Sequence, residues 1–365
     1  MMSQKINRYF SVNLKPVIKK NILQIIDLYY KIMPGIVGNI IRYPALLRHM
    51  YHSKVIAKPG ILSFKGGAFN PGALILEDNK ILLLAKSQIL PWFKAIGKKR
   101  KYYLQGNPIS LILDKTSLKT ETSSIITDFI GYPSEHEYAI EDLRLFAWRE
   151  KKMINHSFIK KYSSNDYLQI KSVSSALSIL ENDDKTLRFL GFPKLDFPTN
   201  EFEKNWVYTE NGEQLLLFYS INPYIVLALQ DEKEFTFKTV IKKQLNSKIS
   251  DPEGFGAMVS FSTNPVDFDK KHWMVIIHQF KKKITGRWYI HWAVLIDKTS
   301  LLPVKITSKP IFTGAGARGR VPGYRYISSI LKINEEILFF AGEGDVYITV
   351  TKKKIDDLLS LFVNV

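Results

Sequence analysis

Four short stretches of this 365-residue chain set ionisable or amide side chains into apolar surroundings. In Phe69-Asn70-Pro71-Gly72-Ala73, the Asn70 amide offers a donor and an acceptor, the pair needed to grip a sugar diol. An Asn before Pro is equally an Asx turn. Ile140-Glu141-Asp142-Leu143-Arg144-Leu145 places two carboxylates and a guanidinium in a run that otherwise reads as a strand. Strand alternation sends Asp142 and Arg144 to one face and Glu141 to the other. A shielded Asp142 can then hand a proton to a leaving oxygen, provided burial opposes the lowering effect of Arg144; the alternative is a structural ion pair at a sheet edge. In Gly342-Glu343-Gly344-Asp345, the glycines allow a sharp turn that leaves Asp345 at the mouth of a strand, as a ligand or as a turn-stabilising residue. The fourth set is Lys204-Asn205-Trp206 together with His278 and Tyr289. A hairpin turning near Lys283 brings His278 and Tyr289 close to opposite one another, so that both can face one anion with Lys204. Taken singly, a His in a strand is an ordinary core side chain.

Five strand-turn-strand units must position these residues. They begin near Gly72, Tyr138, Val207, His272 and Tyr326, about 55 to 70 residues apart, the spacing of propeller blades. Asp78-Asn79 and Asn211-Gly212 are hairpin turns between β-forming runs. The second unit turns at Arg149 to Lys152, the fourth at Gly286, and the fifth at Gly342-Glu343-Gly344. No residue identity repeats between units, so the repetition is architectural. The pattern predicts an all-β, five-bladed β-propeller over residues 59–365, with the polar sets converging on its funnel.

Residues 1–58 differ in character. They hold ten Lys or Arg and one acid, Asp27, and so carry half of the net charge of +18. Ile22, Ile25, Ile26, Tyr29 and Met33 form an apolar helical stripe beside Lys19, Lys20 and Lys31, ended by Pro34-Gly35. A basic amphipathic helical extension of this kind either lies on an anionic membrane or packs on the propeller. No apolar run is long enough to span a bilayer, and no signal peptide is recognisable. The absence of Cys suits a reducing compartment such as the cytoplasm, with peripheral contact at its membrane face. Nucleic acid is not an expected partner, because the remaining basic clusters sit in turns without a recognition motif. The seven His show no paired ligand spacing, and no nucleotide-cradling glycine loop is found, so neither metal nor cofactor is expected.

Taken in order, FNPGA, IEDLRLF, EKNW, the His278 and Tyr289 pair, and FFAGEGDVYITV resemble the motif series of the β-mannoside phosphorylases of glycoside hydrolase family 130 and the related β-1,2-mannosyltransferases of glycosyltransferase family 108. The resemblance runs from about Phe69 to Leu359 and implies a five-bladed propeller. It implies that Asp142 is the catalytic acid, acting through a sugar hydroxyl. It also implies that Asn70 and Asp345 hold the innermost mannosyl unit, and that Lys204, His278 and Tyr289 bind phosphate. Arg144 and Glu343 fall inside the matched motifs as further substrate-site candidates.

Departures from the family pattern concentrate at the anion site. Leu143 replaces a proline, Lys86 stands where an arginine ends the first blade, and Arg188 is followed by Phe189 where an Asn is usual. Lysine is a point charge and cannot form the bidentate clamp of arginine. The expected function is inverting glycosyl transfer, β-mannosyl by resemblance, to or from a sugar nucleotide, a sugar 1-phosphate or phosphate, with a role in cell-surface glycan synthesis. The alternatives are an inverting glycoside hydrolase, which needs a second carboxylate, and a non-catalytic carbohydrate-binding propeller.

Overall fold

The computed structural model describes residues 53–365 apart from 78, 90–104, 134–137, 165–166, 255, 257, 284–285, 315–316 and 319–322. The stripe expected between Ile22 and Met33 lies outside these residues, and so do the basic turn at residues 98–101 and the question of membrane contact. Among the described residues no helix is long and apolar enough to cross a membrane.

The described strands form five sheets. The first contains Gly67–Leu76, Lys80–Gln88, Gln105–Asp114 and Thr120–Ile125. The second contains Tyr138–Trp148, Lys151–Ser164, Tyr167–Leu180 and Thr186–Gly191, edged by Asp128–Ile130. The third runs through Val207–Asn211, Gln214–Ile221, Tyr224–Asp231 and Thr236–Lys243 to Lys194–Leu195. The fourth is built on the long hairpin His272–Lys283 and Gly286–Asp297, followed by Pro303–Thr307 and Phe362–Asn364. The fifth contains Arg325–Ile333, Glu336–Glu343, Tyr347–Lys354 and, at its outer edge, Lys54–Ala57.

Two-sided burial explains why these strands read as continuous apolar runs rather than as alternating ones. Along Lys80–Gln88, Ile81, Leu83 and Ala85 pack with Leu338, Phe340 and Val350 of the fifth sheet. The intervening Leu82 and Leu84 pack with Leu143, Leu145 and Ile154 of the second. The third sheet repeats the arrangement: Leu215 and Leu217 meet Trp148 and Met153, while Leu216 and Phe218 meet Trp273 and Val275. A further cluster joins Met274 and Ile276 to Ile327 and Phe339. Each cluster therefore bridges one pair of neighbouring sheets, and the series runs back from the fifth to the first in a propeller-like arrangement. Each fully buried Leu or Phe contributes about 1.5–3 kcal/mol relative to exposure.

Two details differ from the sequence expectation. Lys54–Ala57, inside the segment expected to be helical, is a strand antiparallel to Tyr347–Lys354, so the chain supplies the last sheet's outer edge before starting the first sheet. In the fourth unit His272 does not begin the innermost strand. That position is taken by two short pieces, Ser260–Phe261 and Val266–Asp267, which both pair with His272–Lys283 and leave Ser262, Thr263, Asn264 and Pro265 between them. Neither piece has the length or apolar run that marks a strand in sequence.

Candidate active site

Where the inner strands of the first two sheets approach the ring's centre, each contains an extra residue. In the first sheet Phe69 pairs with Lys86 but Gly72 pairs with Leu84, so Asn70-Pro71 opposes a single residue. In the second, Glu141 pairs with Ser157 and Arg144 with Asn155, so Asp142-Leu143 opposes one residue. The bulge residues Asn70 and Asp142 take left-handed backbone angles, φ 51° and 54°. Asn and Asp tolerate this region better than other non-glycine residues, at a cost on the order of 1 kcal/mol. A bulge re-aims the side chain and breaks the two-residue period. As a result the Asn70 amide nitrogen lies 3.4 Å from Asp142 Oδ1.

The break in period corrects the expectation for Glu141. Its side chain does not point away from Asp142; both line the same cavity. Lys86 Nζ is ion-paired with Glu141, and Lys204 Nζ stands 3.7 Å from Glu141 Oε2 and 3.8 Å from Asp142 Oδ2. Burial pushes the Asp142 carboxyl up, but the charges of Lys204, Arg144 and Lys86 outweigh it and hold the group below its ordinary range. Glu141 follows the same balance, burial against Lys86 and then Lys204, with the cations prevailing. Both residues are therefore carboxylates at neutral pH.

Arg144, expected as a substrate contact, is buried beneath the site. Its Nε donates to the Ser262 carbonyl at 3.0 Å, and its Nη2 donates to Asn205 Oδ1 at 3.1 Å and to the Tyr326 hydroxyl at 2.7 Å. It thus ties together the second, third, fourth and fifth sheets at the point where they meet. The interrupted inner strand of the fourth sheet makes this possible, because Ser262 lies in the gap and its carbonyl is left to accept.

His278 and Tyr289 both line the cavity, with ring centroids 5.5 Å apart. The residue directly opposite His278 is His291, and Tyr289 opposes Phe280, two residues along the hairpin. His278 Nδ1 is 2.9 Å from Ser262 Oγ; burial and then the charge of Arg144 push the ring down to about 3, so it is neutral. Burial raises Tyr326 to about 12 and raises Tyr324 as well, keeping both phenols protonated as donors. Tyr289 donates to Tyr324 at 3.2 Å.

Of the ten residues singled out in the sequence, the fold brings Asn70, Lys86, Asp142, Lys204, His278, Tyr289 and Asp345 onto one cavity of about 810 Å³. The other three lie elsewhere. Arg144 is the support just described. Glu343 is wholly buried, accepting from Arg325 Nε at 3.0 Å, from the Arg318 backbone at 2.9 Å and from Thr349 at 3.1 Å. Burial raises its carboxyl, but Arg325 and Arg318 outweigh that and keep it ionised as a structural anion. Arg188 is 47% exposed on the outer strand Thr186–Gly191, bonded to Glu181 at 2.6 Å. Its position follows from the second sheet's fourth strand lying far from the inner one.

Asn205 was missed as a site residue. It lines the cavity with φ 66° two positions ahead of the strand Val207–Asn211; the sequence offered it only as the middle of Lys204-Asn205-Trp206, with no role of its own. Among the described residues no group of three or more His, Asp or Glu is placed to hold a metal ion.

No family model and no curated protein sequence matches this chain. Solved structures do. The β-1,2-mannobiose phosphorylase of Listeria innocua aligns over 90% of this chain and 97% of its own, with TM-score 0.55 and 14% identity. The fold is that of the β-mannoside phosphorylases. A GDP-Man-dependent mannosyltransferase of Leishmania mexicana aligns over 87% and 94%, with TM-score 0.57 and 10% identity. A mannose phosphorylase of the same organism, solved with a phosphate ion, aligns over 87% and 92%, with TM-score 0.54 and 11% identity. The neighbours therefore include members of glycoside hydrolase family 130, the family whose motif series this sequence resembles.

Proposed function

We propose that this chain is a five-bladed β-propeller enzyme of residues 59–365, with Lys54–Ala57 as closing strand, that transfers a β-mannosyl unit with inversion between an anionic donor and a sugar hydroxyl. The observation that carries this is the meeting of Asn70, Asp142, Lys204 and Asp345, from separate parts of the chain, on one cavity beside neutral donors. Asn70 and Asp345 hold the transferred sugar. Lys204, His278 and Tyr289 receive the phosphate or diphosphate, with one cation and two neutral donors in place of an arginine clamp. Lys86 is committed to Glu141 and contributes to the anion only through its field.

In the synthetic direction the acceptor oxygen attacks the anomeric carbon opposite the leaving phosphate. Asp142, already a carboxylate, takes the acceptor's proton through an intervening sugar hydroxyl, and the phosphate departs with the bonding pair. Phosphorolysis reverses each movement and requires Asp142 to begin protonated. The cations that surround it favour synthesis when no anion is bound. An anion that neutralises Lys204 raises Asp142 and opens the reverse direction.

Glu141 supports a second reading. It supplies the additional cavity carboxylate that inverting hydrolysis of a mannoside by water would need. Incubation with GDP-mannose or mannose 1-phosphate and a β-mannoside acceptor distinguishes the two. A β-linked, extended product formed from one donor supports transfer. Free mannose released from the β-mannoside by water, with no product from either donor, overturns transfer in favour of hydrolysis.

A further inference from the structure

The cavity has two unlike walls. One, from the first, second, fourth and fifth sheets together with Lys204 and Asn205 just ahead of the third, carries the amide, carboxylate, ammonium, imidazole and phenol groups described above. The other, from the third sheet and the segments flanking it, presents Phe197, Phe202, Ile221, Pro223 and Met258, joined by Phe280 from the fourth sheet. Met258 is 72% exposed and Phe202 58%, the two most exposed large apolar side chains among the described residues, and both belong to this one wall.

Three of the polar side chains on that wall, Tyr219, Asn200 and Ser220, are already engaged within the protein, while Asn222 beside Pro223 is exposed. Tyr219 donates to Glu203 at 2.8 Å, and the Asn200 amide donates to the same carboxylate at 3.0 Å. Ser220 bonds to the Pro223 carbonyl. A sugar ring laid there would give up hydrogen bonds to water and recover few, whereas an alkyl chain would lose only its contact with water. The total volume, about 810 Å³, lies towards the upper part of the roughly 300–1,000 Å³ usual for ligand pockets, which leaves room for more than the transferred sugar.

We propose that this wall is an aglycone subsite, and that the acceptor is a mannoside carrying an uncharged apolar chain rather than a free oligosaccharide. This rests on the mannosyl-transfer reading for the polar half of the cavity, but its test does not depend on turnover.

Binding is measured by calorimetry with methyl β-mannoside, octyl β-mannoside below its micelle-forming concentration, and β-1,2-mannotriose, on the wild-type chain and on a Phe202→Ser/Met258→Ser double variant. Both replaced side chains are on the surface, so the variant is expected to fold. Octyl β-mannoside should bind at least tenfold tighter than the methyl glycoside, equivalent to about 1.4 kcal/mol. The double variant should lose most of that ratio while keeping its affinity for the methyl glycoside. Equal affinities for the two glycosides, or a ratio unchanged in the variant, would overturn the proposal. So would mannotriose gaining as much over the methyl glycoside as octyl does, since the wall would then be a sugar platform. Failure of mannosyl transfer with every acceptor, alongside a retained octyl preference, would instead remove the reaction and leave the subsite standing.

Discussion

The inner strands of the first two sheets and the inner strand of the third begin from similar apolar patterns and reach different geometries. Val207–Asn211 pairs with Gln214–Ile221 in unbroken register, and its left-handed residue, Asn205, lies ahead of the strand. Gly67–Leu76 and Tyr138–Trp148 each admit an extra residue inside the strand, and that residue is Asn70 or Asp142. A regular strand gives the cavity alternate side chains only. A bulged one can give it two consecutive side chains, as with Glu141 and Asp142. The first two sheets therefore present Asn70, Glu141 and Asp142 where the inner strand's register breaks, whereas the third, whose inner strand is unbroken, lines the cavity from its next two strands, where pairing shifts between Phe218 and Ser220.

The largest test of this contrast is chemical. Asp142→Asn keeps a residue that tolerates the left-handed backbone, so mannosyl transfer should fall on the order of 10³-fold with little change in the thermal midpoint. Turnover retained in that variant would remove the proton-transfer role.

Next is the charge balance behind the bulge. Lys86→Met leaves Glu141 buried with only the more exposed Lys204 nearby, at an expected cost of about 3 kcal/mol near pH 7. In the wild type, Glu141 has a depressed folded value, so its stabilisation is present above the ordinary carboxylate range and is lost as pH falls through that depressed value. In the variant the group titrates higher, so the deficit should shrink as pH falls and Glu141 takes up a proton. Urea unfolding at several pH values follows this directly, and a deficit constant with pH would contradict it.

A third test compares glycines. A Cβ on Gly72 would lie 2.6 Å from the Leu145 nitrogen and 2.7 Å from the Leu143 carbonyl oxygen, pressing two inner strands apart. Gly72→Ala should cost about 3 kcal/mol, near the upper end of ordinary overpacking. In the third sheet a Cβ on Gly212 meets nothing within 4 Å, and its cost, about 1 kcal/mol, comes only from φ +64°. Similar losses at the two sites would mean that the bulged strands are no more tightly packed than the regular one. The smallest effect belongs to the periphery: Arg188→Ala should leave turnover unchanged and shift stability by less than about 0.5 kcal/mol, because an exposed pair contributes little.

Much of the fold was legible because its signals are local. Asn211-Gly212 and Arg149-Glu150 turn where the chain announces a turn, and the five hairpin units fall in the five sheets. The candidate site was legible in part. Seven residues converge as their motifs implied, but Glu141 was assigned to the wrong face by a rule that assumes unbroken alternation. Arg144 and Glu343 looked like ligand contacts because a charge in an apolar run is the same signal whether it meets substrate or a buried partner.

By itself the sequence determined that both faces of most strands are apolar, and so that sheets must pack on two sides. That follows from side-chain type at period two and needs no partner to be known. Only the tertiary structure decided which residues oppose a bulge, which carbonyl receives Arg144, and that Lys54–Ala57 completes the last sheet nearly 300 positions away in the chain. Register and closure belong to pairs of strands, and the identity of a distant partner is not encoded in the local pattern of either one.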